Sequence, residues 1–157
     1  MNLEIERKFK LDRVPAELDG AWPRVTIEQG YLAIHEDGTE VRIRRKGGRR
    51  TLTVKSAGGL TRVEVELEID ADRFRSLWPL TTGRRVRKVR STLKLPDGLV
   101  AEIDVYEGDL DGLVVAEVEF ETHVDGVCFE PPAWLGHEVT GDAGYLNRSL
   151  AIRGLPS

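Results

Sequence analysis

The residues best equipped for chemistry come in alternating sets. Glu4, Glu6 and Lys8 are threaded between Leu3, Ile5 and Phe9. Arg42 and Arg44 flank Ile43, Glu64 and Glu66 flank Val65, and Lys88 and Arg90 flank Val89. Glu102 and Asp104 flank Ile103, and Glu117 and Glu119 flank Val118. A spacing of two is the period of an extended strand, so each stretch has one ionisable face and one aliphatic face. Residues i and i+2 of a strand lie roughly 6.5–7 Å apart, and at an effective dielectric near 20 two like charges at that distance repel by about 2–2.5 kcal/mol. Six such sets in one chain point to a compensating partner, and a polyanion carrying metal ions would compensate both signs.

The two sets have distinct chemistry. The basic set is Lys8, Arg42, Arg44, Lys55, Lys88 and Arg90. It offers guanidinium forks and ammonium point charges for phosphate oxygens. The acidic set is Glu4, Glu6, Glu64, Glu66, Glu102, Asp104, Glu117 and Glu119. Carboxylates without cysteine and with few histidines suit a hard divalent cation, Mg2+ or Mn2+. Such a cation bridges phosphate oxygens and lowers the pKa of a bound water, which yields a nucleophile for in-line attack on a terminal phosphorus.

These side chains must be positioned by strands. Period-two patterning predicts strands at Asn2–Lys10, Thr26–His35, Thr39–Lys46, Arg50–Lys55, Thr61–Ile69, Arg85–Leu95, Leu99–Glu107 and Leu113–Thr122. Tight turns at Glu36-Asp37-Gly38, Gly47-Gly48, Ala57-Gly58-Gly59 and Pro96-Asp97-Gly98 join many of them as hairpins. Helices are predicted at Asp70–Leu80, with Asp70 as N-cap, at Asp12–Gly20 around Pro15, and at Gly144–Arg153. The fold class is α+β, mainly β, and eight antiparallel strands are enough to close a barrel. Patterning alone leaves two orientations open. Either the apolar faces fill the interior, or the charged faces line a tunnel and Ile5, Ile43, Val54, Val65, Ile103 and Val118 pack outward against the helices. Three helices cover only part of that outer face, which leaves room for self-association as a homodimer.

The bulk numbers narrow the class. A chain of 157 residues suits one domain over residues 1–157. With 23 basic and 27 acidic residues the net charge is −4, so no global field draws the protein to nucleic acid or to an anionic membrane. Cys128 is alone, the first ten residues contain no apolar leader, and no apolar run reaches 18 residues. A cytoplasmic protein without disulfides or membrane spans is expected. His35, His123 and His137 show no ligand spacing, and no GxxxxGK[ST] string is present.

In order along the chain, Glu4-Ile5-Glu6-Arg7-Lys8-Phe9 resembles the ExExK signature of the CYTH superfamily, the triphosphate tunnel metalloenzymes. Gln29-Gly30-Tyr31-Leu32 resembles its second-strand motif, and Glu40-Val41-Arg42-Ile43-Arg44 its paired arginines. Lys55, Glu64-Val65-Glu66, Lys88-Val89-Arg90 and Glu102-Ile103-Asp104 follow. Gly112-Leu113 with Ala116-Glu117-Val118-Glu119-Phe120 is similar to a further family strand. Glu138 to Asp142 with Tyr145 and Asn147 resembles the C-terminal segment of short bacterial members.

The resemblance implies an eight-stranded closed tunnel that binds a linear triphosphate and one or two divalent cations. The six basic residues would hold phosphates, with Lys8, Lys88 and Tyr31 as catalytic residues and Tyr31 orienting a lysine. Glu4, Glu6, Glu117 and Glu119 would lead the metal side, supported by Glu64, Glu66, Glu102 and Asp104. The activity implied is hydrolysis of inorganic tripolyphosphate, with nucleoside triphosphates as weaker substrates. Class IV adenylyl cyclase, thiamine triphosphatase and a noncatalytic polyphosphate-binding module use the same elements and stand as alternatives.

Overall fold

The structure is a computed structural model that describes residues 5–18, 23–57 and 63–157. Glu4, Trp22, Gly58, Gly59 and the beginnings of the strands predicted from Asn2 and Thr61 lie outside the described residues.

All eight predicted strands are present: β1 Ile5–Leu11, β2 Arg24–Ile34, β3 Glu40–Lys46, β4 Arg49–Lys55, β5 Glu64–Glu68, β6 Arg85–Lys94, β7 Val100–Tyr106 and β8 Val114–Phe120. A short β9, His137–Glu138, was not expected from sequence and pairs with β1. The sheet is antiparallel throughout, in the order β5-β4-β3-β2-β6-β7-β8-β1-β9. The expected closed barrel is therefore not what the hydrogen bonds build among the described residues, where β5 and β9 are the two edges. The sheet nevertheless curls far round, because Glu64 and Glu66 of β5 and Glu6 and Lys8 of β1 line one cavity.

The orientation left open by patterning is settled by burial. Phe9, Leu93, Ala101, Ile103, Ala116, Val118 and Phe120 form the outer apolar face, where Leu18, Leu135, Phe129 and Trp134 pack on them. The charged residues at the alternating positions face the concave side. Leu18 belongs to Ala16–Leu18, a single 3-10 turn, which is what remains of the helix expected over Asp12–Gly20 among the described residues.

Three α-helices are described. α1, Ala71–Leu77, is capped as predicted by the Asp70 side chain, which accepts from the Arg73 backbone N–H. It gives way to a 3-10 turn at Trp78–Thr81, where Pro79 supplies no backbone donor. β2 runs so close beneath that turn that a Cβ on Gly30 would stand 2.5 Å from Thr81. α2, His123–Cys128, was missed because six residues including Gly126 carry too little periodicity. Its Gly126 packs against Ile5 and Phe120. α3, Asn147–Arg153, starts later than expected, after a 3-10 turn at Ala143–Tyr145. Leu150 of α3 joins Val86, Tyr106, Leu110, Leu113 and Val115 in a second apolar cluster. Val86, Tyr106 and Val115 continue the concave face beyond Lys88, Asp104 and Glu117, so α3 stoppers one end of the charged groove.

Candidate functional site

The concave face encloses a cavity of ≈ 350 Å³. Seven carboxylates line it, those of Glu6, Glu40, Glu64, Glu66, Glu102, Glu117 and Glu119. Six basic side chains join them: Lys8, Arg42, Arg44, Lys55, Arg90 and Arg148. One end opens into a wider acidic mouth of ≈ 1010 Å³ that shares Glu102, Glu117 and Glu119 and is bounded by Asp97, Asp125 and Glu130.

Sheet register decides which charges are already matched. Lys55 lies opposite Glu40 and Glu64, Lys8 opposite Glu117, and Arg90 opposite Asp104. Arg42 lies opposite Tyr31 and Thr53, and Arg44 opposite Gln29 and Thr51, all uncharged. Glu102 lies opposite Glu117, and Glu6 opposite Glu119, which places like charges at the closest cross-strand distance.

Arg44 is held from one side. Arg44 Nε donates 2.8 Å to Gln29 Oε1, and Gln29 Nε2 donates 2.8 Å to Tyr31 Oη. Arg42 Nε is buried with no acceptor. The nearest carboxylate, Glu40, stands 3.8 Å from Arg42 and 3.7 Å from Arg148. Burial, then the charges of Arg42 and Arg90, lower the pKa of Arg44, so an anion here would relieve a real electrostatic cost. Burial, followed by Glu40, raises the pKa of the Tyr31 phenol.

The opposite wall carries Lys8, whose Nζ stands 3.4 Å from Glu117 and donates to the Tyr145 carbonyl at 3.2 Å. β1 is clamped at this point. Arg7 makes a two-pronged pair with Glu138 at 2.9 and 2.7 Å, and the Lys8 N–H donates to Thr140 Oγ1.

Between the walls lies a buried ionic layer. Asp104 accepts from Arg90 Nε at 2.7 Å and Nη2 at 2.9 Å, and its Oδ2 stands 2.8 Å from Lys88 Nζ. Arg90 Nη1 reaches Glu102 at 2.7 Å. Burial pushes the Asp104 carboxyl up, but Lys88 and then Arg90 overrule it and hold its pKa at about 2. Burial lowers the Lys88 pKa, against the opposing pull of Asp104. Lys88 also donates to Asn147 Oδ1 at 3.3 Å, a bond the Tyr106 hydroxyl shares at 2.7 Å, and its ammonium stands 5.3 Å from the Tyr106 ring.

Most expected residues thus converge on the cavity: Glu6, Lys8, Tyr31, Arg42, Arg44, Lys55, Glu64, Glu66, Arg90, Glu102, Glu117 and Glu119. Lys88 and Asp104 do not line it; they are 0% and 2% exposed and lie beneath its floor. Tyr31 bonds Gln29 rather than a lysine, and the aromatic beside a lysine is Tyr106. Sequence reasoning quoted Gln29, Glu40 and Asn147 within the motifs without giving them a place in the site, and it missed Tyr106 and Arg148. Glu40 and Gln29 are each two residues from a recognised site residue on the same face, a signal present in the alternation itself. Asn147 and Arg148 sit on a helix whose docking no local pattern specifies.

The donor set fits a hard divalent cation in one respect and limits it in another. The carboxylates supply only oxygen, as Mg2+ or Mn2+ prefers. No three His, Cys, Asp or Glu side chains among the described residues stand close enough to hold a metal ion by themselves. A cation that arrives on phosphate oxygens needs only one or two protein carboxylates.

The chain belongs to the CYTH domain family, which matches residues 2–141. An inorganic triphosphatase of Nitrosomonas europaea is 46% identical over 149 residues, covering 95% of this chain and 97% of the relative. An inorganic triphosphatase of Acetivibrio thermocellus is 34% identical over 154 residues, with 96% and 94% covered. The crystal structure of an inorganic triphosphatase superposes with a TM-score of 0.80 at 42% identity, covering 99% of each chain. No helix among the described residues is long and apolar enough to cross a membrane.

Proposed function

We propose that the protein is a metal-dependent phosphoanhydride hydrolase acting on inorganic tripolyphosphate. The observation that carries this reading is the register. Arg42 and Arg44, facing uncharged neighbours and with one buried N–H lacking an acceptor, present an anion site. Glu102 and Glu117, opposite each other across β7 and β8, present carboxylate oxygens for a cation across the same cavity. A linear polyphosphate with its counter-cations satisfies both at once. The names of the two relatives above support the same substrate class.

In this reading Arg42, Arg44 and Arg90 hold the phosphates, with Lys8 and Lys55 at the rims. Glu6, Glu117 and Glu119 would hold the cation, with Glu64, Glu66 and Glu102 near it. Magnesium or manganese, when bound, neutralises phosphate oxygens and acidifies a water. Asp104 acts as the fixed counter-anion of Lys88 and Arg90, since both its oxygens are committed. The basic side chains orient the chain for attack in line with the bridging oxygen and stabilise the charge that gathers on it. One new P–O bond forms to water, one bridging P–O bond breaks, and orthophosphate and pyrophosphate leave. A closed tunnel belongs to this reading, with the ligand and its cations drawing the carboxylates of β5 and β1 together. So do a cytoplasmic setting and a homodimer using the exposed Val65 and Leu67 of β5.

The deciding assay incubates the protein with tripolyphosphate, ATP or thiamine triphosphate and Mg2+ or Mn2+, then measures orthophosphate, pyrophosphate and cAMP. Orthophosphate and pyrophosphate from tripolyphosphate, lost on chelation, are expected. cAMP as the main product from ATP would replace the hydrolase with a cyclase. Faster thiamine triphosphate hydrolysis would replace the substrate, and binding without turnover would leave a sensing module.

A further inference from the structure

Gln29 and Tyr31 of β2 and Arg44 and Arg42 of β3 form a square, with Gln29 opposite Arg44 and Tyr31 opposite Arg42. Gln29 is 0% exposed, and both ends of its amide go to side chains that line the cavity. The chemistry of those partners fixes which way round the amide sits. A guanidinium only donates. The atom 2.8 Å from Arg44 Nε is therefore the amide oxygen, and the atom 2.8 Å from Tyr31 Oη is the amide nitrogen, a donor. The phenol oxygen must then accept, so its own hydrogen points elsewhere. Arg42 is a second donor-only group beside that oxygen. Glu40 is near enough for its charge to act on the phenol, but the Tyr31 hydroxyl donates to no acceptor among the described residues. Tyr31 lines the cavity although it is 1% exposed, so the direction left for the hydrogen is into the cavity. Burial keeps that hydrogen in place by raising the phenol pKa.

We infer that Gln29 is a positioning residue for the reaction: by accepting from Arg44 and donating to the Tyr31 oxygen, it sets Tyr31 as a hydrogen-bond donor into the cavity, aimed at a phosphoryl oxygen. The inference rests on the triphosphatase reading for the identity of the ligand. Tyr31 touches the substrate, and Gln29 acts through it. A donor preset toward an oxygen that gains charge in the transition state needs no reorientation during the reaction, and its loss lowers kcat. Without the amide N–H, the hydroxyl is free to turn along the wall and donate to a protein acceptor instead.

Gln29→Glu isolates this step. The carboxylate keeps the size and still accepts from Arg44, but it offers Tyr31 an acceptor in place of a donor, so the hydroxyl turns to it and leaves the cavity. The new charge also offsets part of the Arg44 charge, and that loss is the same whether or not position 31 carries a hydroxyl. A double-mutant cycle separates the two. Steady-state hydrolysis of tripolyphosphate with Mg2+ is measured for the parental protein, Gln29→Glu, Tyr31→Phe and the double variant, and thermal unfolding confirms that each is folded at the assay temperature. Gln29→Glu and Tyr31→Phe should each lower kcat about tenfold or more. The kcat loss from Gln29→Glu should be at least about fivefold smaller in the Tyr31→Phe background than in the parental one.

Equal kcat losses in the two backgrounds would confine Gln29 to Arg44, and the inference falls. It falls equally if Tyr31→Phe keeps kcat within about twofold of the parental value, or if the coupling appears in KM alone. If Gln29→Glu does not fold, Gln29→Met goes through the same cycle: it leaves the hydroxyl without its donor, the same coupling is expected, and equal losses again overturn the assignment. A parental protein that neither binds tripolyphosphate by calorimetry nor hydrolyses it would instead overturn the proposed function, so the two failures are separable.

Discussion

Replacing Asp104 by Asn should destabilise the protein by about 3–5 kcal/mol, the usual cost of leaving one member of a buried ion pair alone. The side chains of Lys88 and Asp104 are 0% and 2% exposed, and Oδ2 stands 2.8 Å from the ammonium. The amide keeps the volume but offers Lys88 no negative charge. What remains around the ammonium is the neutral Asn147 oxygen, the Tyr106 ring and the more distant charge of Glu117. The carboxyl itself gives a figure of similar order. Its pKa of about 2, against an ordinary 3.8, stabilises the folded state by about 2 kcal/mol at neutral pH. In a chain of this length 1 kcal/mol moves Tm by roughly 2–4 °C, so a drop of about 6–20 °C is expected.

The cause is isolated by a double-mutant cycle. Lys88→Met removes the buried charge, and in the double variant Arg90 still has Glu102 at 2.7 Å. The double variant should be more stable than Asp104→Asn alone, with a coupling of about 2 kcal/mol or more by urea denaturation at pH 7. Single effects that add to within about 0.5 kcal/mol would show that the two residues do not rely on each other, and the buried-pair argument would fail.

The same carboxyl sets an acid limit. Its folded pKa is depressed, so its contribution is complete above about pH 4 and is lost as pH falls through about 2. Tm of the parental protein should therefore fall more steeply between those values than Tm of Asp104→Asn; parallel curves would contradict the assignment. Gly30→Ala should cost about 1–3 kcal/mol by calorimetry, because the new Cβ would meet Thr81 at 2.5 Å across β2 and the Trp78–Thr81 turn. An unchanged Tm would mean that the turn yields freely. Arg42→Met should raise KM for tripolyphosphate about tenfold or more, while Arg87→Met, whose guanidinium pairs with Glu28 and Glu107 away from the cavity, should not. Equal effects would point to net charge rather than to the site.

The strands were legible because the alternation is long and nearly unbroken, as in β1 and in β8 around Glu117 and Glu119. The Asp70 cap was legible because a single side chain decides it. Closure was not. Whether β5 reaches β1 depends on curl accumulated over the whole sheet, which no local pattern encodes. β9 is two residues long and exists because Arg7 and Lys8 offer partners to Glu138 and Thr140 from the far end of the chain. The depth of Lys88 was not legible for a related reason. Its position on the charged face is correct, but depth along that face is set by where α3 lands, and Asn147 lies 59 residues away.

The premise that repeated like charges demand an outside partner also changes once register is known. Neighbours along a strand are roughly 6.5–7 Å apart, whereas cross-strand neighbours are about 4.5–5.5 Å apart, so opposite charges across strands outweigh like charges along them. Lys8 faces Glu117, Lys55 faces Glu40 and Glu64, and Arg90 faces Asp104, so much of the charge is offset within the sheet. What register leaves is local and of both signs: Arg42 and Arg44 lie opposite uncharged residues, with Glu40 3.8 Å from Arg42, and Glu102 lies opposite Glu117. With seven carboxylates and six bases around the cavity, a bare polyphosphate would meet a wall of slightly negative sum, and a bare cation would meet six basic side chains with no added anion to offset them. Neither ligand is well accommodated alone. Each removes the charge that opposes the other, so the site physically favours a polyphosphate and its cation entering together, and the affinity for either should rise in the presence of the other by the same factor.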